Sequence, residues 1–124
     1  MNAHGEERRW ELARTPWAAG EARAHVDAYR DELGEDIWRR ARLLVSELAT
    51  NAVRHGAGRI HLLVLVSDAR IRVCVEDEGS GELVTRTPGV DGGFGLHLIA
   101  GLSDRWGADH PAAVWFEIDQ RGAA

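Results

Sequence analysis

The hydrophobic pattern of this chain changes period at Gly56, and that change restricts the folds open to it. Upstream, Ile37, Ala41, Leu44, Leu48 and Ala52 recur at helical spacing over residues 36–55. Downstream, Ile60, Leu62, Val64 and Val66 repeat every second residue, as do Ile71, Val73 and Val75. A period of two puts each set on one face of a strand. Ser67-Asp68-Ala69-Arg70 is the turn between the two strands. A long one-sided helix followed by two one-sided strands buries both kinds of stripe when helices form a layer on a sheet.

The remaining segments fit that plan. Arg9 to Leu12 reads as a short strand after a polar, flexible stretch, residues 1–9. Thr15-Pro16 is a helix start, with Thr15 as N-cap and Pro16 at the first position, where its missing N–H costs nothing. That helix is expected to reach Leu33 and to stop at Gly34. Residues 77–95 are glycine-rich and loop-like, and a third helix should begin near Gly95 and carry Leu96, Ile99 and Leu102. Residues 104–119 read as two strands around His110-Pro111, with Val114, Phe116 and Ile118 alternating. The expectation is an α+β two-layer sandwich, a mixed, mostly antiparallel sheet covered on one face by three helices. One domain spans 10–120, with no internal repeat or linker to divide it.

Composition excludes several chemistries. The chain has 124 residues, enough to bury roughly two-thirds of its unfolded surface. All 15 of its Lys-plus-Arg residues are arginine. Without lysine there is no Walker-type P-loop, no strand lysine of the common protein-kinase fold and no Schiff-base chemistry. The net charge of −5 argues against direct nucleic-acid binding. No stretch approaches the roughly 20 apolar residues of a membrane span, and the N-terminus has no apolar signal-like run. Cys74 is the single cysteine, consistent with a reducing cytoplasm and more easily read as packing than as a nucleophile. The histidines at 4, 25, 61, 97 and 110 show no metal-ligand spacing.

Three short constellations carry chemistry. Within SELATNAVRHG, residues 46–56, Glu47 and Asn51 lie one helical turn apart beside the apolar stripe. Asp77 continues the alternation of Ile71, Val73 and Val75, so it should point under the helices, where a carboxylate needs a donor. Gly79 and Gly81 follow it and permit close backbone approach. A recessed carboxylate beside bare backbone accepts from the exocyclic amine of adenine and repels the guanine carbonyl. Gly92-Gly93-Phe94-Gly95 opens the third helix and leaves N–H groups and the positive dipole end for phosphate. Asn51 offers a neutral oxygen to a Mg²⁺ otherwise held by triphosphate and water, and Glu47 stands where it can orient or deprotonate a hydroxyl.

The order Glu47-x-x-x-Asn51, Asp77-x-Gly79-x-Gly81, Gly93-x-Gly95 resembles the three boxes of the GHKL (histidine kinase-like) ATPase superfamily. SELATNAVRHG, the short spacing to GFGL and the closing AVWFEI look most like its anti-sigma factor serine/threonine kinase branch, over residues 35–118. The resemblance implies the Bergerat ATP-binding fold with ATP and Mg²⁺ as cofactors. It implies Asn51 as Mg²⁺ ligand, Glu47 as catalytic carboxylate and Asp77 as adenine reader. Gly79 and Gly81 would shape the adenine pocket, with Gly93, Gly95 and Leu96 at the phosphate end. It further implies a homodimer that phosphorylates a small STAS-type anti-anti-sigma protein and alternately holds a sigma factor inactive.

The chain departs from the pattern in places. Phe94 stands where the third box often has arginine, and Ala112-Ala113 where many relatives carry Thr or Lys before the last strand. These departures keep open a second function, a nucleotide-binding module that sequesters a partner without phosphorylating it. A sensor histidine kinase fits less well, because residues 1–35 are too few for a two-helix phosphoacceptor hairpin. Each constellation also has a plainer reading: Glu47 and Asn51 as a polar helix rim, Asp77 as a turn residue, residues 92–95 as loop. Arg54 and His55 line the same helix end without an assigned role. Trp17 and Trp38 serve either packing or a protein interface.

Overall fold

The computed structural model describes residues 5–79, 94–109 and 112–120, with backbone alone for residues 94–96. The elements run β1 (Arg8–Leu12), α1 (Ala18–Asp27), a 3-10 turn (Arg30–Glu32), α2 (Glu35–His55), β2 (Ile60–Val66), β3 (Arg70–Glu76), α3 (Phe94–Leu102), β4 (Arg105–Asp109) and β5 (Ala113–Asp119). The five strands form one sheet in the order β1-β2-β3-β5-β4. Every described pairing is antiparallel, so the sheet expected to be mixed is antiparallel throughout these residues.

The strand phases follow the alternation seen in the sequence. Ile60, Leu62, Val64 and Val66 of β2, Ile71, Val73 and Val75 of β3, and Phe116 and Ile118 of β5 are buried on one face. Register aligns them across the sheet: Leu62 opposite Val75, Val64 opposite Val73, Val73 opposite Phe116. The stripe of α2 that meets this face is Ala41, Leu44, Val45, Leu48, Ala49 and Ala52. Helix α2 lies in the middle of the helical layer, with α1 on the β1 side and α3 on the β4 side. Alanines at positions 18, 22, 41, 49 and 52 are all buried, and these small side chains let α1, α2 and the sheet approach closely.

One helix is shorter than expected. The helix starts at Ala18 with Trp17 as N-cap, two residues later than the Thr15-Pro16 start expected, because Thr15 Oγ1 and its carbonyl close a turn onto the Trp17 and Ala18 N–H groups at 3.1 Å. It ends at Asp27 rather than running to Leu33. Asp27 is recruited elsewhere: its Oδ1 accepts from Trp38 Nε1 and from Arg42 Nε, both at 2.9 Å. The chain tightens into i→i−3 hydrogen bonds at Tyr29 and Glu32, which tucks Leu33 into the core. Gly34, expected to end α1, instead precedes α2, where its carbonyl accepts the Trp38 N–H at 2.8 Å. Trp38 is half-buried against the core, under the Arg30 guanidinium at 3.9 Å and beside the open groove between α1 and α2, whereas Trp17 is 73% exposed.

Among the described residues no helix covers the sheet's other face, which carries an ion-pair ladder. Arg72 and Arg105 both pair with Glu117, at 3.0 and 2.6 Å, and Arg70 and Arg105 both reach Asp119. Arg72 also stacks over the Trp115 ring, 4.3 Å from its centre. Cys74 lies half-buried on this face, where burial pushes its thiol up to about 11. At neutral pH it remains a thiol, which fits a packing role.

Candidate functional site

Helix α2 continues without interruption from Glu35 to His55, so Glu47 and Asn51 sit one turn apart on a rigid rod, both half-buried. Their Cβ atoms are about 5–6 Å apart at this spacing. The helix ends where Gly56 donates its N–H to the Ala52 carbonyl at 3.0 Å. From Glu47 to Gly56 the helix rises roughly 14 Å, a length comparable to an extended nucleoside triphosphate.

Asp77 stands at the far end of that row. The first residue after β3, it keeps the strand's phase and faces the helical layer as expected. Its backbone N–H donates to the Ala112 carbonyl at 2.9 Å, which anchors it beside β5. Its Oδ1 accepts the Gly79 N–H at 2.7 Å and, at a longer 3.4 Å, the Ala57 N–H. Gly79 has φ +69°, a conformation that L side chains rarely adopt, so its identity is fixed by the turn that delivers this N–H. The other oxygen, Oδ2, lies directly against Gly56: a Cβ there would be 2.2 Å from it and 2.6 Å from the Ala52 carbonyl oxygen. Gly56 is thus more than a helix stop, since bare backbone is what allows the carboxylate and the helix end to meet.

The loop joining α2 to β2 locks onto the same segment. Glu78 donates its N–H to the Ala57 carbonyl at 2.9 Å, and Arg59 donates its N–H to Glu78 Oε2 at 2.6 Å. Asp77 is therefore held from three sides by main chain, and Oδ2 keeps acceptor capacity beyond these contacts. A carboxylate in that setting fits an amine donor of a base. Gly56, Ala57, Glu78 and Arg14 all shape this corner, and sequence reasoning singled out none of them for it.

The remaining expected residues divide. Gly81 and Gly93 lie outside the described residues. Gly95 and Leu96 fall in the first turn of α3, whose leading N–H groups have no intrahelical acceptor. The far end of α3 is tied to α2, because Arg40 donates to the Leu102 carbonyl at 3.0 Å. Glu47 borders an open groove of about 790 Å³ between α1 and α2, together with Arg23, Arg42, Leu43, Ser46 and Thr50. Asn51 and Asp77 do not line that groove. Arg54 and His55 are exposed at the end of α2.

A helical layer on one face of an antiparallel sheet, with a carboxylate held at the end of the central helix, places the chain in the class of two-layer α+β domains. The model of the histidine kinase-like ATPase domain matches residues 12–113, and the chain belongs to that family. Among solved structures, the RsbU and RsbW domains of Rv1364c from Mycobacterium tuberculosis are similar in fold, with a TM-score of 0.68 at 22% identity. That match covers 94% of this chain and 32% of the other, so the present chain spans about a third of the relative's length. No curated protein sequence matches the chain. Among the described residues, no helix is long and apolar enough to cross a membrane.

Proposed function

We propose that this domain is an ATP- and Mg²⁺-dependent serine/threonine protein kinase of the anti-sigma type, acting on a small STAS-type anti-anti-sigma protein. The observation that carries the reading is the Asp77 carboxylate, fixed by the Gly79 N–H and walled by Gly56 at the end of the helix that bears Glu47 and Asn51. In this reading Asp77 accepts from the exocyclic amine of adenine, with Gly79 and Gly81 shaping the base pocket. Asn51 offers its side-chain oxygen to Mg²⁺, and backbone N–H groups near Gly93, Gly95 and Leu96 receive phosphate oxygens.

ATP supplies the phosphoryl group. Glu47 lies one helical turn before Asn51 on the same rod, and in this reading it receives the partner hydroxyl beside the phosphates that Mg²⁺ and Asn51 hold. The carboxylate takes the hydroxyl proton as the oxygen bonds to the terminal phosphorus and the bond to the diphosphate leaving group breaks. Backbone donors at the start of α3 stabilise the charge that develops. The reading extends to a cytoplasmic homodimer that also holds a sigma factor inactive.

A second reading is favoured by Phe94, which removes a cationic contact where the family often has arginine. In it the domain binds nucleotide and sequesters its partner without phosphoryl transfer. Incubation with γ-labelled ATP, Mg²⁺ and a candidate STAS-type protein separates the two. Label on a partner serine or threonine supports the kinase; complex formation on ATP binding with no transfer selects the sequestering module. Failure to bind ATP overturns both.

A further inference from the structure

From its hydrogen bonds we infer that Arg14 is a positioning residue that sets base selectivity by clamping the loop behind Asp77. The inference rests on the reading of Asp77 as the adenine acceptor. Arg14 lies between β1 and α1, far in sequence from the site, and most arginines of the described structure behave differently from it. Those at 9, 30, 39, 40, 42, 59, 70, 72 and 105 pair with carboxylates. Arg14 instead donates to three carbonyls: from Nη1 to Ala52 at 2.7 Å and Val53 at 3.1 Å, and from Nε to Gly58 at 2.9 Å.

Those acceptors explain its reach. Ala52 and Val53 belong to the last turn of α2, at the negative end of the helix dipole, and the Ala52 carbonyl that accepts from Arg14 also accepts the capping Gly56 N–H at 3.0 Å. A planar guanidinium spans all three oxygens at once, which the point charge of an ammonium cannot reproduce. Gly58 lies beyond the helix, so the same side chain fastens the loop 56–59 onto the helix end. That loop is the back wall of the corner: Gly56 abuts Asp77 Oδ2, the Ala57 N–H reaches Oδ1, and the Ala57 carbonyl holds the Glu78 N–H. Arg14 touches no reacting atom. Its clamp fixes the loop, and the loop fixes the direction of the carboxylate.

Freed from Arg14, the loop gains room to move away from Asp77, and the carboxylate gains orientations that no longer distinguish an amine from a carbonyl. The test compares wild type, Arg14→Ala and Arg14→Lys by calorimetric titration with Mg-ATP and Mg-GTP, beside thermal unfolding of each. The expected result is a fall of about tenfold in ATP affinity for Arg14→Ala, the size of one lost charge-assisted hydrogen bond, with GTP affinity little changed. The ATP-to-GTP ratio therefore collapses, with Arg14→Lys between the two. A purely structural brace would lower the unfolding temperature and leave the ratio intact well below that temperature.

An unchanged ratio in a folded Arg14→Ala would overturn the inference. Should that variant fail to fold, Arg14→Lys decides by the same ratio. A wild-type protein with no preference for ATP would instead overturn the adenine reading itself, and the two failures are thereby distinguished.

Discussion

Replacing Gly56 by alanine tests the corner around Asp77 most directly. The backbone there has φ −89° and ψ −171°, an extended conformation open to any residue, so the substitution carries no backbone strain. All of its cost comes from contact. The new Cβ would stand 2.2 Å from Asp77 Oδ2, 2.5 Å from its Cγ and 2.6 Å from the Ala52 carbonyl oxygen. Two ways of relieving this exist. The helix end and loop can shift, at the roughly 1–3 kcal/mol typical of overpacking. Alternatively the carboxylate swings away and gives up its 2.7 Å bond from Gly79, a charge-assisted hydrogen bond of about 1.5–3 kcal/mol. Both routes converge near 2 kcal/mol, which for a domain of this size lowers Tm by about 8 °C. The second route also removes the acceptor for the base, so ATP affinity should drop by about tenfold or more. Differential scanning calorimetry and isothermal titration of the same preparation read both quantities. Unchanged Tm together with unchanged affinity would refute the contact argument, while a lower Tm with intact affinity would select the first route, in which the helix end shifts and the carboxylate keeps its place.

Other substitutions probe the remaining roles. Asn51→Ala should abolish the Mg²⁺ dependence of ATP binding without altering the far-ultraviolet circular dichroism, and calorimetry with and without Mg²⁺ is the check. In Asp77→Asn the preference for ATP over GTP should fall towards parity, which competition binding with the two nucleotides would reveal. Glu47→Gln should preserve ATP affinity yet slow phosphoryl transfer to the partner by about a hundredfold or more, as loss of a general base does; wild-type turnover in this variant would exclude Glu47 from catalysis. Acid stability concerns the sheet's open face. Burial works to raise the pKa of Glu117, but hydrogen bonds from Arg105 and Arg72 outweigh it and hold the carboxyl below its usual range; the Arg105 hydrogen bond does the same for Asp119. Depressed carboxylate values contribute stability that is complete above the unfolded pKa near 4 and is lost as pH falls through the folded values. Arg105→Gln should therefore be less stable than wild type at pH 6, with the difference shrinking in chemical denaturation curves as pH falls below the unfolded carboxylate pKa near 4.

The sequence was most legible where burial follows a local period. In β2 and β3 every second residue is buried, so the apolar alternation named the strands and their inner face, and the same phase put Asp77 under the helices. Helix α2 was legible because its stripe, from Ile37 to Ala52, persists over about four turns. Legibility failed where a distant group decides the outcome. Helix α1 ends early at Asp27, where the backbone tightens to the Tyr29 N–H to Val26 carbonyl bond and the Asp27 carboxylate takes donors from Trp38 and Arg42 on another helix. Gly56 looked like an ordinary helix stop because nothing nearby in sequence shows a carboxylate arriving from residue 77. Arg14 sits in an unpatterned stretch, and its three acceptors lie 38 to 44 residues away.

The continuity of α2 has an energetic consequence of its own. Glu47, Asn51 and the helix end that abuts Asp77 belong to a single 21-residue rod anchored on the sheet by six buried side chains. The mutual placement of these groups is settled when the chain folds, so a ligand arriving there has no entropy to remove from that wall. In native-state hydrogen exchange the amides of α2 should open with the global unfolding of the domain, with or without nucleotide. Whatever tightening accompanies binding then has to come from other segments, with α2 serving as the fixed frame against which it is measured.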